Sequence, residues 1–308
     1  MRPVLVKRIV TVAVAFLATS GALGVADVAD ADPDLPRPVA KARVEAPTAE
    51  RYPWLADAAV ASTSSGEGLA SRFAAPAGFD RVEVAPRSFG AWLRGLPLAP
   101  RGTGVLSFRG DPVLAGDHDN LAAVVAIDAG TRDLMQCADS VIRMHAEWRW
   151  SEGARDQSYR ALSGADIPFQ RYLAGMRPSV EHNTLAWHRG VALRDDHAGF
   201  RRYLDDVFNW ANTISLSAEA KPVPRAELRP GDFFVMPGGP GHAVLVLDVA
   251  KAGNKTALLL GQGFMPAQGF YVVRPSRASA WFVVEPNDLF VDTPFWRPFP
   301  WSTLRRFG

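Results

Sequence analysis

The sequence predicts an α+β fold, with helices first and an antiparallel sheet after them, and three observations carry that prediction. Residues 133–150 place Cys137, Val141, Met144 and Trp148 at i, i+4, i+7 and i+11, one face of a helix. Asp195 and Asp196 open a second helix whose Phe200, Tyr203, Leu204, Val207, Phe208 and Ala211 keep the same period. From Phe233 onward only strand-length apolar runs and turns follow, an order that favours segregated helices and strands over an alternating parallel sheet. With 308 residues, 48% hydrophobic and 21% charged, the chain can bury a substantial core. The same composition excludes a collagen-like, coiled-coil or wholly disordered protein.

Taken in order, Arg2, Lys7 and Arg8 precede an apolar stretch over 9–18 and a small-residue site at Ala29-Asp30-Ala31. This is the three-part pattern of a secretory signal peptide over 1–31, and it predicts an exported protein, periplasmic or secreted. A retained anchor is the alternative, because 9–26 carries no charge, but Thr11, Thr19, Ser20, Gly21 and Gly24 dilute it. The expectation is cleavage, with no stable membrane span afterwards. Cleavage removes three basic and two acidic residues from 34 and 32, leaving 31 against 30. A near-neutral chain without a basic run predicts no nucleic-acid partner.

Residues 32–51, rich in Pro, Ala and charge, read as a flexible leader. Residues 52–100 read as a small N-terminal subdomain, with a strand at 81–84 and a helix capped by Ser88, running through Trp92 and Leu93 and stopped by Pro97. The remainder, 101–308, reads as one α+β domain with strands at 105–108 and 122–127. It carries an insertion at 151–216 that includes the second helix and a polar, irregular stretch over 151–193 bearing His182, Trp187 and His188. The closing strands are 233–236, 242–249, 256–262, 270–273 and 281–284, with a glycine-rich hairpin loop at 237–241 and a turn near 251–255. No Lys-Ser/Thr and no helix follows that loop, which argues against a phosphate cradle. Trp296, Pro298, Phe299 and Trp301 are expected to staple the tail to the body.

Cys137 is the one cysteine, which rules out an intramolecular disulfide framework and cysteine-rich metal centres. A free thiol has a pKa of about 8.5 and is about 3% ionised at neutral pH, and a helix start or a neighbouring imidazolium increases that fraction. Cys137 has the helix start. Among six histidines, His242 begins an apolar strand directly after a glycine-rich loop that leaves room beside it. A hairpin centred at residue 252 sets Gln262 opposite His242, where its side chain can orient the ring. A slip of one residue breaks this. Gln268 or Asp248 is then the alternative, Asp248 last because six strand residues span roughly 20 Å. An oxyanion could be met by the backbone N–H of Cys137 and a side chain such as Gln136. His182, His188, Asp195, Asp196 and His197 match no metal-site spacing, so neither a metal nor a cofactor is expected.

Cys137 at a helix start, Gly231-Asp232-Phe233-Phe234-Val235, a glycine-rich turn, Gly241-His242-Ala243-Val244-Leu245-Val246 and a polar residue on the next strand together resemble the papain-like, NlpC-type cysteine peptidases and amidases. The resemblance implies a papain-like core of one helix packed on an antiparallel sheet. It also implies Cys137 as nucleophile, His242 as base and Gln262 behind it, hydrolysing an amide or ester. Many such proteins cut bacterial cell-wall peptide. Two features depart from the pattern: Gln136-Cys137-Ala138-Asp139 stands where Asp-Cys-Ser-Gly is familiar, and 105 residues separate Cys137 from His242. The insertion can absorb that length. More closely, residues 132–139, 240–244 and 262–268 resemble an exported bacterial family known only as a domain of unknown function, from about residue 70 to the end. The expectation is an exported Cys–His hydrolase with a cell-envelope peptide or glycan partner. The alternative is a non-catalytic envelope binding module that holds a glycan or protein through the Trp-bearing stretch 151–190.

Overall fold

The computed structural model describes residues 46–182 and 184–308, so the signal-like segment and the leader as far as residue 45 lie outside the described residues. The architecture is α+β, built on a nine-stranded antiparallel sheet. Its strands are β1 (Asp80–Arg81), β2 (Leu121–Val124), β3 (Lys221–Pro222), β4 (Phe233–Met236), β5 (His242–Ala252), β6 (Lys255–Gln262), β7 (Tyr271–Val273) and β8 (Phe282–Val284). A hairpin of β9 (Phe290–Val291) and β10 (Phe299–Pro300) stands apart from the sheet, and β11 (Leu304–Arg306) returns to it. The order is β2-β7-β6-β5-β4-β11-β3, with β1 along the end of β5 and β8 along the start of β6.

Because side chains alternate along a strand, the two faces of β5 feed two apolar layers. Ala243, Leu245 and Leu247 pack with Leu259 and with Ala138, Val141 and Ile142 of the helix α2 (Cys137–Ser151). Val244 and Val246 pack on the other side with Leu258, Leu260, Tyr271, Phe299 and Leu304. Every residue from His242 to Ala250 is buried, as a strand covered on both faces requires.

The β5–β6 hairpin turns through Gly253-Asn254, with Gly253 at φ +58°, and closes on Ala252↔Lys255. Its centre therefore lies between Gly253 and Asn254, not at residue 252. Pairing runs to Asp248↔Leu259, skips Leu247, and resumes at Val246↔Leu260 and Leu245↔Gly261. The expected pairing of Gln262 with His242 is thus replaced by one that sets Gln262 level with Val244. The bulge at Leu247 matters more than the offset: without it, Gln262 would align with Leu245 and face the helix layer. With it, Gln262 and His242 share a face as diagonal neighbours.

Helix α2 begins at Cys137, four residues later than the apolar period suggests, because residues 132–136 form tight turns and Asp139 Oδ2 accepts the Gln136 N–H at 3.1 Å. The helix α1 (Phe89–Arg94) is capped by Ser88 Oγ, which accepts the Ala91 N–H. Tyr52, Trp54 and Trp92 pack ring on ring at 5.2–5.8 Å, seating the 52–100 segment in the helix-side layer. The strands expected at 81–84, 105–108 and 122–127 shorten to Asp80–Arg81, Val105–Leu106 and Leu121–Val124. The stretch 151–193 is regular: Ser158–Arg160 pairs with Asp166–Pro168, and Met176–Glu181 pairs with Thr184–Arg189. Phe169 and Tyr172 bind it to Phe200 and Tyr203 of α3 (His197–Trp210), a helix capped by Asp196 as its sequence indicates.

Two buried ion clusters fasten these layers. Arg143 on α2 donates to Glu147 Oε1 at 2.7 Å and Asp128 Oδ2 at 3.2 Å, and Glu147 Oε2 bonds His197 Nε2 at 2.8 Å. Asp248 on β5 accepts from Arg81 Nε at 2.6 Å and from Arg94 Nε and Nη2 at 2.9 and 2.8 Å.

Candidate functional site

Cys137 is the first residue of α2 and is 5% exposed. Its thiol donates to the Gly241 carbonyl at 3.8 Å, the residue before His242. Burial, and after it the carboxyl of Asp139, push the thiol pKa up to about 11, although the backbone N–H groups of Ala138 and Ala243 favour the anion. The thiolate expected from the helix start is therefore not the resting form. Desolvation outweighs the few amides that a first turn offers.

His242 Nε2 and Gln262 Oε1 are 2.8 Å apart, and Gln262 Nε2 donates to Tyr271 Oη at 2.6 Å. With the amide so oriented, the histidine carries its proton on Nε2, and Nδ1 is left with the lone pair. Nδ1 is buried and has no hydrogen-bond partner among the described residues. Burial lowers the His242 pKa to about 4, against the opposing bond to Gln262, so the ring is neutral at physiological pH. Phe264, Trp296 and Phe299 enclose it, with ring centroids 4.9, 5.0 and 6.0 Å away.

The structure joins His242 to Gln262 and sets Cys137 against the backbone beside them. No hydrogen bond links Sγ to the ring among the described residues. Helix α2 packs on the layer of Ala243 and Leu245, the thiol meets the backbone on either side of His242, and the ring lies 6.0 Å from Phe299. Gln136 donates its Nε2 to Asp133 Oδ1 at 3.1 Å, and the same oxygen accepts the Ala267 N–H at 2.7 Å. Gln268 is buried, with Oε1 unpartnered among the described residues. Asp248 is committed to two arginines.

Tyr271, Asp139 and Trp296 belong to the site without having been marked by the sequence reading. Tyr271 was accessible to strand arithmetic, since Gln262↔Tyr271 is a direct cross-strand pair. Asp139 occupies the third helical position, where an acidic side chain can reach back to the cap. Trp296 reads as a tail staple, and its place over His242 depends on long-range packing.

With neutral partners, the rate of Cys137 alkylation by iodoacetamide in the folded protein is expected to rise about tenfold per pH unit from pH 6 toward 10, following the thiolate fraction. A plateau near pH 5 would instead reveal a thiolate–imidazolium pair.

Among the described residues there is no group of three or more His, Cys, Asp or Glu side chains placed to hold a metal ion, and no helix long and apolar enough to cross a membrane. No curated protein and no solved structure matches the chain. A family model does match, over residues 69–306, which include Cys137, His242, Gln262 and Tyr271. The chain therefore belongs to the family described as domain of unknown function 4846.

Proposed function

We propose that the protein is an exported cysteine hydrolase with a papain-like core, acting on an amide or ester, with cell-envelope peptide as the substrate class. The observation that carries this reading is the buried Tyr271–Gln262–His242 chain, which leaves the Nδ1 lone pair free on the residue after Gly241, whose carbonyl accepts from the thiol of Cys137 at a helix start. Fixing the tautomer of a base that way is what nucleophilic catalysis by a Cys–His pair requires. Export rests on the signal-like 1–31 segment.

Because both partners rest neutral, the ring acts as a general base rather than as half of an ion pair. His242 Nδ1 takes the thiol proton as Sγ attacks the carbonyl carbon. It returns that proton to the departing nitrogen or oxygen, leaving a thioester that water then cleaves. The Cys137 N–H and the Gln136 amide are the donors for the oxyanion. No cofactor is needed.

The test is hydrolysis of a panel of N-acyl peptides and esters, including cell-wall peptides, by the signal-free protein. Cys137→Ala and His242→Ala are each expected to fall to background, and Gln262→Ala to retain a fraction. Full activity in either of the first two variants would rule the mechanism out.

A non-catalytic envelope binding module is the second reading, and the missing Sγ–ring hydrogen bond favours it. It would have available a cavity of about 360 Å³ at the far end of α2, lined by Phe89, His145, Trp148 and Phe307 among others. This reading predicts a bound glycan or protein partner and no turnover.

A further inference from the structure

The His242 ring has no exposed surface, and Cys137 is nearly covered. Part of the cover over the ring is Trp296, on the loop 292–298 that joins β9 to β10. That hairpin is held by two residue pairs, Phe290↔Pro300 and Val291↔Phe299, and Asp292, Phe295, Arg297 and Pro298 along its loop are exposed.

Five of the nine tryptophans tie distant segments together through their indole N–H. Those of Trp54, Trp92, Trp148, Trp281 and Trp301 donate to backbone carbonyls at 2.7–2.9 Å. The N–H of Trp296 is buried with no acceptor among the described residues, as is the hydroxyl of Thr293. The preceding residue, Phe295, sits at φ +73°, a region that costs a bulky L-residue conformational energy. The inward position of Trp296 is thus held by ring packing alone and carries an unmatched donor and backbone strain. On its outer side lies an open depression of about 600 Å³, lined by Pro240, Phe295, Trp296 and Arg297. The indole borders that depression and lies 5.0 Å from the imidazole.

We infer that the loop 292–298 is a gate, and that Trp296 shuts the Cys137–His242 site off from the depression until the indole swings out. The staple role of the tail does not need Trp296, since Phe299 and Trp301 pack on Phe234 independently. What passes the gate rests on the hydrolase reading, but the closure does not.

The experiment is carbethoxylation of His242 by diethyl pyrocarbonate at pH 6, mapped by mass spectrometry, with iodoacetamide labelling of Cys137 in parallel. Trp296→Ala is compared with the wild type and with Trp301→Ala, all shown to be folded by circular dichroism. Trp296→Ala is expected to modify at least tenfold faster at His242 and faster at Cys137, with Trp301→Ala close to wild type. A folded Trp296→Ala protein that reacts at the wild-type rate overturns the gate, as does equal acceleration in Trp301→Ala. Should Trp296→Ala not fold, Trp296→Leu keeps apolar cover at the hairpin, and the same tenfold criterion decides. Neither label requires turnover, so fast labelling without hydrolysis would leave the gate standing and remove only the hydrolase reading.

Discussion

Arg143→Leu is expected to lower the unfolding free energy by about 3–5 kcal/mol, because it leaves a buried carboxylate without its principal cation. Arg143 and Glu147 both have side chains with no exposed surface. Burial alone would raise the Glu147 pKa, but Arg143 and His197 more than offset it, and the carboxyl stays below the usual range. In the wild type that depressed pKa contributes stability above the unfolded-state value, which is lost as pH falls through the folded one. In Arg143→Leu burial dominates and the Glu147 pKa rises, so the sign reverses. The variant's deficit should be smaller at pH 5 than at pH 7.5, as Glu147 takes up a proton. Urea titrations at the two pH values measure this. Adding Glu147→Leu should recover most of the loss, since an apolar pair of similar volume often matches a buried ion pair. A single variant within about 1 kcal/mol of wild type would show that the cluster is not charged as drawn.

Asp248→Ala is expected to cost about 3 kcal/mol and to loosen the chain N-terminal to residue 95. Its carboxylate receives Arg81 from β1 and Arg94 from the end of α1, and these arginines in turn donate to the Phe73, Ala70 and Val82 carbonyls. One buried anion thereby clamps three turns of backbone to the sheet. Removing it strands two guanidinium groups whose side chains are 26% and 17% exposed. Hydrogen exchange should show lost protection over 69–94 with β6 and β7 intact. Asp248→Asn, which keeps the volume, separates charge from packing. Because Asp248 lies six residues along the strand from His242, His242 modification should not change, which also removes Asp248 as a partner of the ring.

How far the sequence carried depended on whether a feature was local. The α3 helix with its Asp196 cap, the Ser88 cap and the 237–241 hairpin loop were all readable from short-range chemistry, and each is present. The start of α2 was placed too early because apolar residues such as Leu134 continue the period backward, and only the Asp139-to-Gln136 bond marks the true cap. The His242–Gln262 contact was legible although the register behind it was wrong. Leu247 is one apolar residue in an apolar run, and nothing in its type announces that it is skipped. The contact of the Cys137 thiol with the Gly241 carbonyl was not legible, because it depends on how α2 packs on the sheet. The thiolate expectation failed because a helix-start argument counts amides and not the water removed.

The skipped residue on β5 gives the register of that strand a meaning apart from its composition. Loss of the skipped residue itself would leave Gln262 level with Val244, whereas a chain of the same length with an unbroken β5–β6 ladder could keep His, Gln and Tyr at every position and still present the amide to the opposite side of the sheet. Such a protein would pass a comparison of residue types and lack the imidazole support. Within this family, therefore, whether the residue at Leu247 is skipped bears on the imidazole support more sharply than a conservative substitution at the glutamine itself.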